Sequence, residues 1–198
     1  MEASTRMDTG SRGRVSVLVL DFDGVVTRLP VDWQRARREV SRVLGRPVAS
    51  LTRLLASLWG TEEYFLASRV LERFEREAAE RAAPFPGVEP ALQLARGHGL
   101  EVYLATLQPR AVVEPFLRRH SLLGYFHGIV TRDDHPGKEE MLRTILARTR
   151  APPSGLLLVD DNPAYAEACS RLGARFLHLE NSAEEPRLLE ALRRVLGP

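Results

Sequence analysis

Five short apolar runs constrain this chain more than anything else in it. They are VSVLVL (15–20), EVYLAT (101–106), GIVT (128–131), LLLV (156–159) and RFLHL (175–179). None alternates apolar with polar residues, so each suits a strand covered on both faces, as strands of a parallel sheet are. Helical patterns separate the later runs, over residues 86–98, 110–120, 138–149 and 163–172, with Gly173 as a stop. Strand alternating with helix predicts an α/β fold with a doubly wound, parallel, Rossmann-like sheet.

The rhythm breaks after the first strand. From Thr27 to Pro84 there is no strand signal. DWQRARREVSRVLG (32–45) reads as a helix with Asp32 as N-cap and Gly45 as stop. PVASLTRLLASLWG (47–60) puts Val48, Leu51, Leu54, Leu55 and Leu58 on one stripe. TEEYFLASRVLERFEREAAERAA (61–83) has acidic residues in its first turn and Phe65, Leu66, Val70 and Phe74 at helical spacing. The expected organisation is a polar, disordered tail over 1–13, an α/β core over 14–27 and 85–198, and a helical cap inserted over 28–84, with APFPGV (83–88) leading back.

Bulk properties exclude several function classes. A length of 198 residues suits one domain with an insertion. The formal charge is only +2, and the arginines interleave with acids, as in ERFEREAAER (72–81). That pattern reads as solvated, salt-bridged helix faces and not as a nucleic-acid patch. The single cysteine, Cys169, rules out a disulfide framework and is expected in the core. No apolar run is long enough to span a membrane, and residues 1–14 lack the apolar stretch of a secretory signal. A reducing, cytoplasmic setting is the expectation.

In an open parallel sheet, ligands sit beyond the carboxyl ends of the strands. The first strand ends there in DFDGVVT, which supplies Asp21 and Asp23; the second ends at Thr106; the fourth ends in Asp160 and Asp161. The segment after the third strand holds Lys138. All but one of the 28 lysines and arginines are arginine, and Lys138 is the exception. Four carboxylates, a hydroxyl and an ammonium on one rim match a phosphate accompanied by a hard divalent cation such as Mg²⁺. A nucleotide-binding loop is excluded at Gly137-Lys138, because Glu139 follows where Ser or Thr is required and Arg132 stands at the first glycine position.

These motifs resemble the haloacid dehalogenase-like hydrolase superfamily, from about Val15 to Leu179. Asp21 and Asp23 are similar to its first motif, Thr106 in YLATLQPR to its second, Lys138 to its third and VDDNPAYAEA to its fourth. The resemblance implies that Asp21 attacks phosphorus, that Asp23 protonates the leaving oxygen, and that Mg²⁺ bridges phosphate and carboxylates. General chemistry assigns the same roles: Asp21 as a carboxylate nucleophile, Asp23 as acid and then base, and Thr106 and Lys138 as the clamp on phosphate oxygens. The expected metal ligands are Asp21, Asp23 through its backbone carbonyl, Asp160 and Asp161. Two positions depart from the pattern. Leu107 follows Thr106 where a small or polar residue is common, and Tyr165 replaces a later acid.

The resulting expectation is a Mg²⁺-dependent phosphomonoester hydrolase acting on a small phosphorylated metabolite through an aspartyl-phosphate. A sugar-phosphate mutase, which needs a second phosphate site in the cap, and a non-catalytic binding module are the alternatives. Phosphonate cleavage through a cap Schiff base is disfavoured because 28–84 contains no lysine. Carbon–halogen hydrolysis is disfavoured because it needs neither the metal nor the acid. Trp33, Trp59 and Tyr64 are expected to pack inside the cap, Arg28 and Arg35 to be solvated, and His135 to be an ordinary loop residue.

Overall fold

The computed structural model describes residues 14–179 and 183–197, so the tail expected over 1–13 lies outside the described residues. The sheet is built of β1 (Val17–Leu20), β2 (Glu101–Ala105), β3 (Gly128–Val130), β4 (Leu156–Asp160) and β5 (Arg175–His178). Its order is β3-β2-β1-β4-β5, and every pairing is parallel. The five runs read from the sequence are these five strands, trimmed or extended by one or two residues at their ends. β1 lies at the centre, and the chain moves outward on one side through β2 and β3, then returns to build β4 and β5 on the other. The direction of winding switches between β1 and β4, which is where such sheets open a crevice.

Successive side chains on a strand point to opposite faces, and both faces are covered. Leu18, Leu20, Val102, Leu104, Leu157 and Val159 pack into one apolar cluster with α4 (Val88–Gly97), α5 (Arg110–Arg119) and α8 (Arg187–Leu196). Val17, Val19, Tyr103, Ala105, Leu156 and Leu158 pack into the other with α6 (Lys138–Thr149) and α7 (Tyr165–Leu172). Cys169 is buried in that second cluster, where burial pushes its thiol up to about 12. α8 went unread in the sequence; it buries Leu188 and Leu192 one helical turn apart.

Between β1 and α4 the chain forms α1 (Trp33–Leu44), α2 (Leu51–Leu58) and α3 (Glu62–Arg81). Asp32 Oδ1 accepts from Arg35 N at 2.9 Å and Gly45 closes α1 at φ 65°, as the sequence pattern anticipates. These helices carry a separate apolar cluster of Ala36, Val40, Val48, Ala67 and Leu71. The inward face of α3 is only partly the one its large apolar residues suggest, with Val70 and Phe74 packed against this cluster. Phe65 and Leu66 are exposed, while Tyr64, Ala67, Ser68, Leu71 and Glu75 are buried. That face contains two polar residues because it meets an arginine.

Arg132, just after β3, is 2% exposed. Its guanidinium donates to Glu75 Oε1 at 2.7 Å, Ser68 Oγ at 3.2 Å and Leu107 O at 2.9 Å. Its carbonyl accepts from Tyr64 OH at 2.7 Å and from Trp59 Nε1 at 3.3 Å. One residue of the sheet unit therefore ties down α3 and the end of α2 with both its backbone and its side chain. The connections at residues 27 and 83–85 cross beside each other, with Thr27 Oγ1 donating to Ala83 O at 2.7 Å and Phe85 N to Val26 O at 2.9 Å.

Removing one member of a buried ion pair strands the other charge, at a cost of about 3–5 kcal/mol, whereas replacing both can be neutral. Arg132→Met should therefore lower the melting temperature by roughly 10 °C. The double variant Glu75→Met, Arg132→Met should recover most of that loss. Thermal melts of the two variants and the parent check both statements.

Candidate active site

Asp21 is the first residue beyond β1, and its N–H bonds to Val159 O at 3.0 Å, which fixes it against β4. Asp160 is the last residue of β4. Both are buried, on adjacent strands, at the switch point. Lys138 opens α6 and is 3% exposed. Its Nζ donates to Asp21 Oδ1 at 2.7 Å and to Ala105 O at the end of β2 at 2.7 Å, and lies 2.9 Å from Asp160 Oδ2. The ring of Tyr165 stands 5.0 Å from the same nitrogen, within cation–π range. The ends of three neighbouring strands thus converge on one ammonium.

The electrostatics follow from that packing. Burial works against the charged form of Lys138, but Asp21 and Asp160 outweigh it and hold the lysine above its ordinary range. Burial, and then repulsion from Asp21, push Asp160 up to about 6 against the pull of Lys138. Asp23 is likewise pushed up to about 6, first by burial and then by Asp21, against the Leu29 N–H that its Oδ1 accepts at 2.9 Å. Two carboxylates on one loop therefore stand in different surroundings. Asp21 is ion-paired, and Asp23 has its proton affinity raised.

Carboxylate oxygens of Asp21, Asp160 and Asp161 lie within 4.8 Å of one another. Gly24, at φ +98°, makes this possible, because a β-carbon there would stand 2.1 Å from Asp161 Oδ2. Asp160 Oδ2 is buried and, although ion-paired with Lys138, accepts no hydrogen bond. Three carboxylates against the Lys138 ammonium and the Arg28 guanidinium still leave surplus negative charge, and the donor set is all oxygen. Both properties fit a hard divalent cation. Asp23 does not place its carboxylate in this group.

The remaining sequence expectations have mixed outcomes. Thr106 follows β2 and is fully buried; its hydroxyl donates to Gln108 Oε1 and accepts from Gln108 N, and it is Gln108 that lines the cavity lying between helices α1–α3 and the strand ends. Arg28 is not simply solvated, since its Nη1 lies 3.2 Å from Asp161 Oδ2. Trp33 and Trp59 do not pack inside the α1–α3 unit; they are 39% and 42% exposed and line the cavity. Tyr64 is buried as expected. Arg35 lies over the Phe74 ring at 5.8 Å, and His135 Nε2 bonds to Thr144 Oγ1 at 2.7 Å. The sequence reading missed Glu75, Arg132 and Gln108 at this site. Gln108 stands two residues beyond Thr106, a spacing that could have flagged it; Glu75 is hidden within a charged run.

Comparisons with known proteins bear on this arrangement. The sequence profile of the haloacid dehalogenase-like hydrolases matches residues 18–179. The chain is 26% identical over 183 residues to the phosphoglycolate phosphatase of Nitrosospira multiformis, covering 81% of each. Its fold is similar to a phosphatase of this family from Thermococcus onnurineus, with TM-score 0.66, 17% identity and coverage of 92% of this chain and 98% of that one. It is similar also to a Thermotoga maritima chain assigned as a β-phosphoglucomutase, with TM-score 0.62, 24% identity and coverage of 92% and 100%. Among the described residues, no helix is long and apolar enough to cross a membrane.

The raised Asp23 gives a stability test. Below the ordinary carboxylate value of 3.8 both folded and unfolded chains carry the proton, and no penalty arises. Between 3.8 and about 6 only the unfolded chain ionises, so stability falls as pH rises, and above about 6 the penalty is complete. Asp23→Asn, measured in chelator, should therefore melt a few degrees above the parent at pH 8, a gain on the order of 1–2 kcal/mol. The gain should vanish near pH 4.

Proposed function

The chain belongs to the haloacid dehalogenase-like hydrolase family, and from that premise we propose that it hydrolyses phosphomonoesters of small metabolites in the cytoplasm, with Asp21 as nucleophile and Mg²⁺ as cation. The observation that carries this reading is the contact of the buried Lys138 ammonium with both Asp21 and Asp160. A nucleophilic carboxylate in a poorly solvated site needs a counter-charge beside it and must point one oxygen outward. Lys138 supports both requirements by holding Oδ1, which leaves Oδ2 to attack phosphorus.

Asp21 Oδ2 forms a bond to phosphorus as the ester O–P bond breaks. Asp23, whose raised proton affinity suits an acid near neutral pH, gives its proton to the departing oxygen. It then takes a proton from the water that attacks the aspartyl-phosphate, releasing phosphate and restoring Asp21. Asp21, Asp160 and Asp161 would hold Mg²⁺, which supplies positive charge against the repulsion between a carboxylate and an anionic phosphoryl group. The helices α1–α3 act as the cap, and the cavity beneath them receives the rest of the substrate. Phosphoglycolate, from the name of the curated relative, is one substrate to test.

A hydrolase is favoured over a mutase by the arginines of the cavity. Arg132 is committed to Glu75, Ser68 and Leu107, and Arg37 donates to Ala49 O at 3.3 Å. A second phosphate would have to displace one of these contacts.

Turnover of a phosphomonoester should stop in excess chelator and return with added Mg²⁺. Lys138→Arg, which conserves charge but widens the head group, should lose roughly 10²-fold or more in kcat, comparable to removing a preorganised donor. Arg148→Lys, on the exposed side of the same helix, should change nothing measurable. Steady-state assays with circular dichroism to confirm folding separate these outcomes; parental activity in Lys138→Arg would remove the lysine from the mechanism.

A further inference from the structure

The cavity that opens onto Asp21 has a volume of about 490 Å³ and lies between the α1–α3 helices and the strand ends. A phosphoryl group joined to a two-carbon acid would leave most of that space to water. Both tryptophans of the chain line it: Trp33 opens α1 and Trp59 closes α2. Indoles of this size are normally well buried, so two that remain exposed in one cleft are informative. The hydrogen bond from Trp59 Nε1 to Arg132 O holds that indole at the cavity wall. Leu51, Leu55, Leu107 and Pro136 extend the apolar lining.

The charges around this lining disfavour an anionic leaving group. Arg28 is turned onto Asp161, and Arg132 onto Glu75. Glu75, which also lines the cavity, keeps Oε2 buried without a hydrogen-bond donor. Of the two arginines that line the cavity, Arg132 is paired with Glu75 and Arg37 donates to the Ala49 carbonyl, so a carboxylate placed here would have to displace one of those contacts. A neutral ring would find two indoles and four apolar side chains.

We propose that the leaving group of the natural substrate is an uncharged, ring-bearing alcohol, bound against Trp33 and Trp59, and that phosphoglycolate is a poor substrate. This rests on the phosphomonoesterase reading above and narrows it to a substrate class. The reaction adds water across the O–P bond: the ring alcohol leaves with the proton from Asp23, and phosphate leaves from Asp21.

Benzyl phosphate and phosphoglycolate test the proposal with the Mg²⁺-loaded enzyme. Both release an alcohol, so a better leaving group cannot explain a preference for the ring. The expected kcat/KM is at least tenfold higher for benzyl phosphate, with most of the difference in KM. In Trp33→Ala and Trp59→Ala the ratio of the two kcat/KM values should fall roughly tenfold, while Trp33→Phe should keep most of it. Intrinsic fluorescence gives a readout independent of turnover, because both tryptophans line the cavity. In Asp21→Asn protein, benzyl phosphate should change the emission at concentrations where phosphoglycolate does not. A kcat/KM that favours phosphoglycolate, or a ratio unmoved by the tryptophan variants, would overturn the inference while leaving the phosphatase reading intact. Failure to hydrolyse any phosphomonoester would overturn both.

Discussion

The buried ammonium of Lys138 meets Asp21 at 2.7 Å, Asp160 at 2.9 Å and the carbonyl of Ala105 at 2.7 Å, and the geometry of the site depends on it. These partners end three adjacent strands, β1, β4 and β2. Without the lysine, two buried carboxylates would face each other with no counter-charge between them, and the strand ends would have every reason to splay or take up protons. With it, Asp21 has a counter-charge at 2.7 Å and a fixed direction. An ammonium can meet three partners from one compact nitrogen, whereas a guanidinium spreads its donors over a planar fork. That difference gives a physical reason for lysine at this one position in a chain that uses arginine everywhere else.

A second buried cation organises the other half of the cavity. Arg132 holds α3 through Glu75 and Ser68, and its carbonyl anchors Tyr64 and Trp59. Asp21 and Asp160 on one side of the cavity, and Tyr64, Glu75 and Trp59 on the other, thus contact two residues of one loop and helix start, Lys138 and Arg132. A shift of that segment would move the two ends of the cavity, to which the proposal assigns the phosphoryl group and the leaving group, together. This coupling suits an enzyme in which chemistry must wait for a correctly seated substrate.

Much of this was legible in the sequence, for identifiable reasons. Strands buried on both faces leave unbroken apolar runs, and the carboxyl ends of parallel strands share one rim, so the sequence alone groups Asp21, Asp160 and Asp161 there, with Lys138 in the segment after the third strand. The Arg132–Glu75 pair could not, because Glu75 sits inside ERFEREAAER, a run whose composition is that of a solvated face. Its burial depends on an arginine 57 residues away in sequence. Trp33 and Trp59 depart from the ordinary rule that large aromatics fill cores, because they stand at helix ends beside a cavity. α8 was overlooked although Leu188 and Leu192 carry a helical spacing. Thr106 is fully buried with its hydroxyl engaged by Gln108, a contact that the two-residue spacing permits but does not by itself specify.

The account turns on a covalent phosphoryl group carried by Asp21. Enzyme mixed with a phosphomonoester and quenched within one turnover, then reduced with borohydride and digested, should give a single modified peptide, with the reduction mark at Asp21 by mass spectrometry. Asp21→Asn protein should give none. Turnover at the normal rate with no trapped phosphoryl group, or a mark on any other residue, would contradict the account.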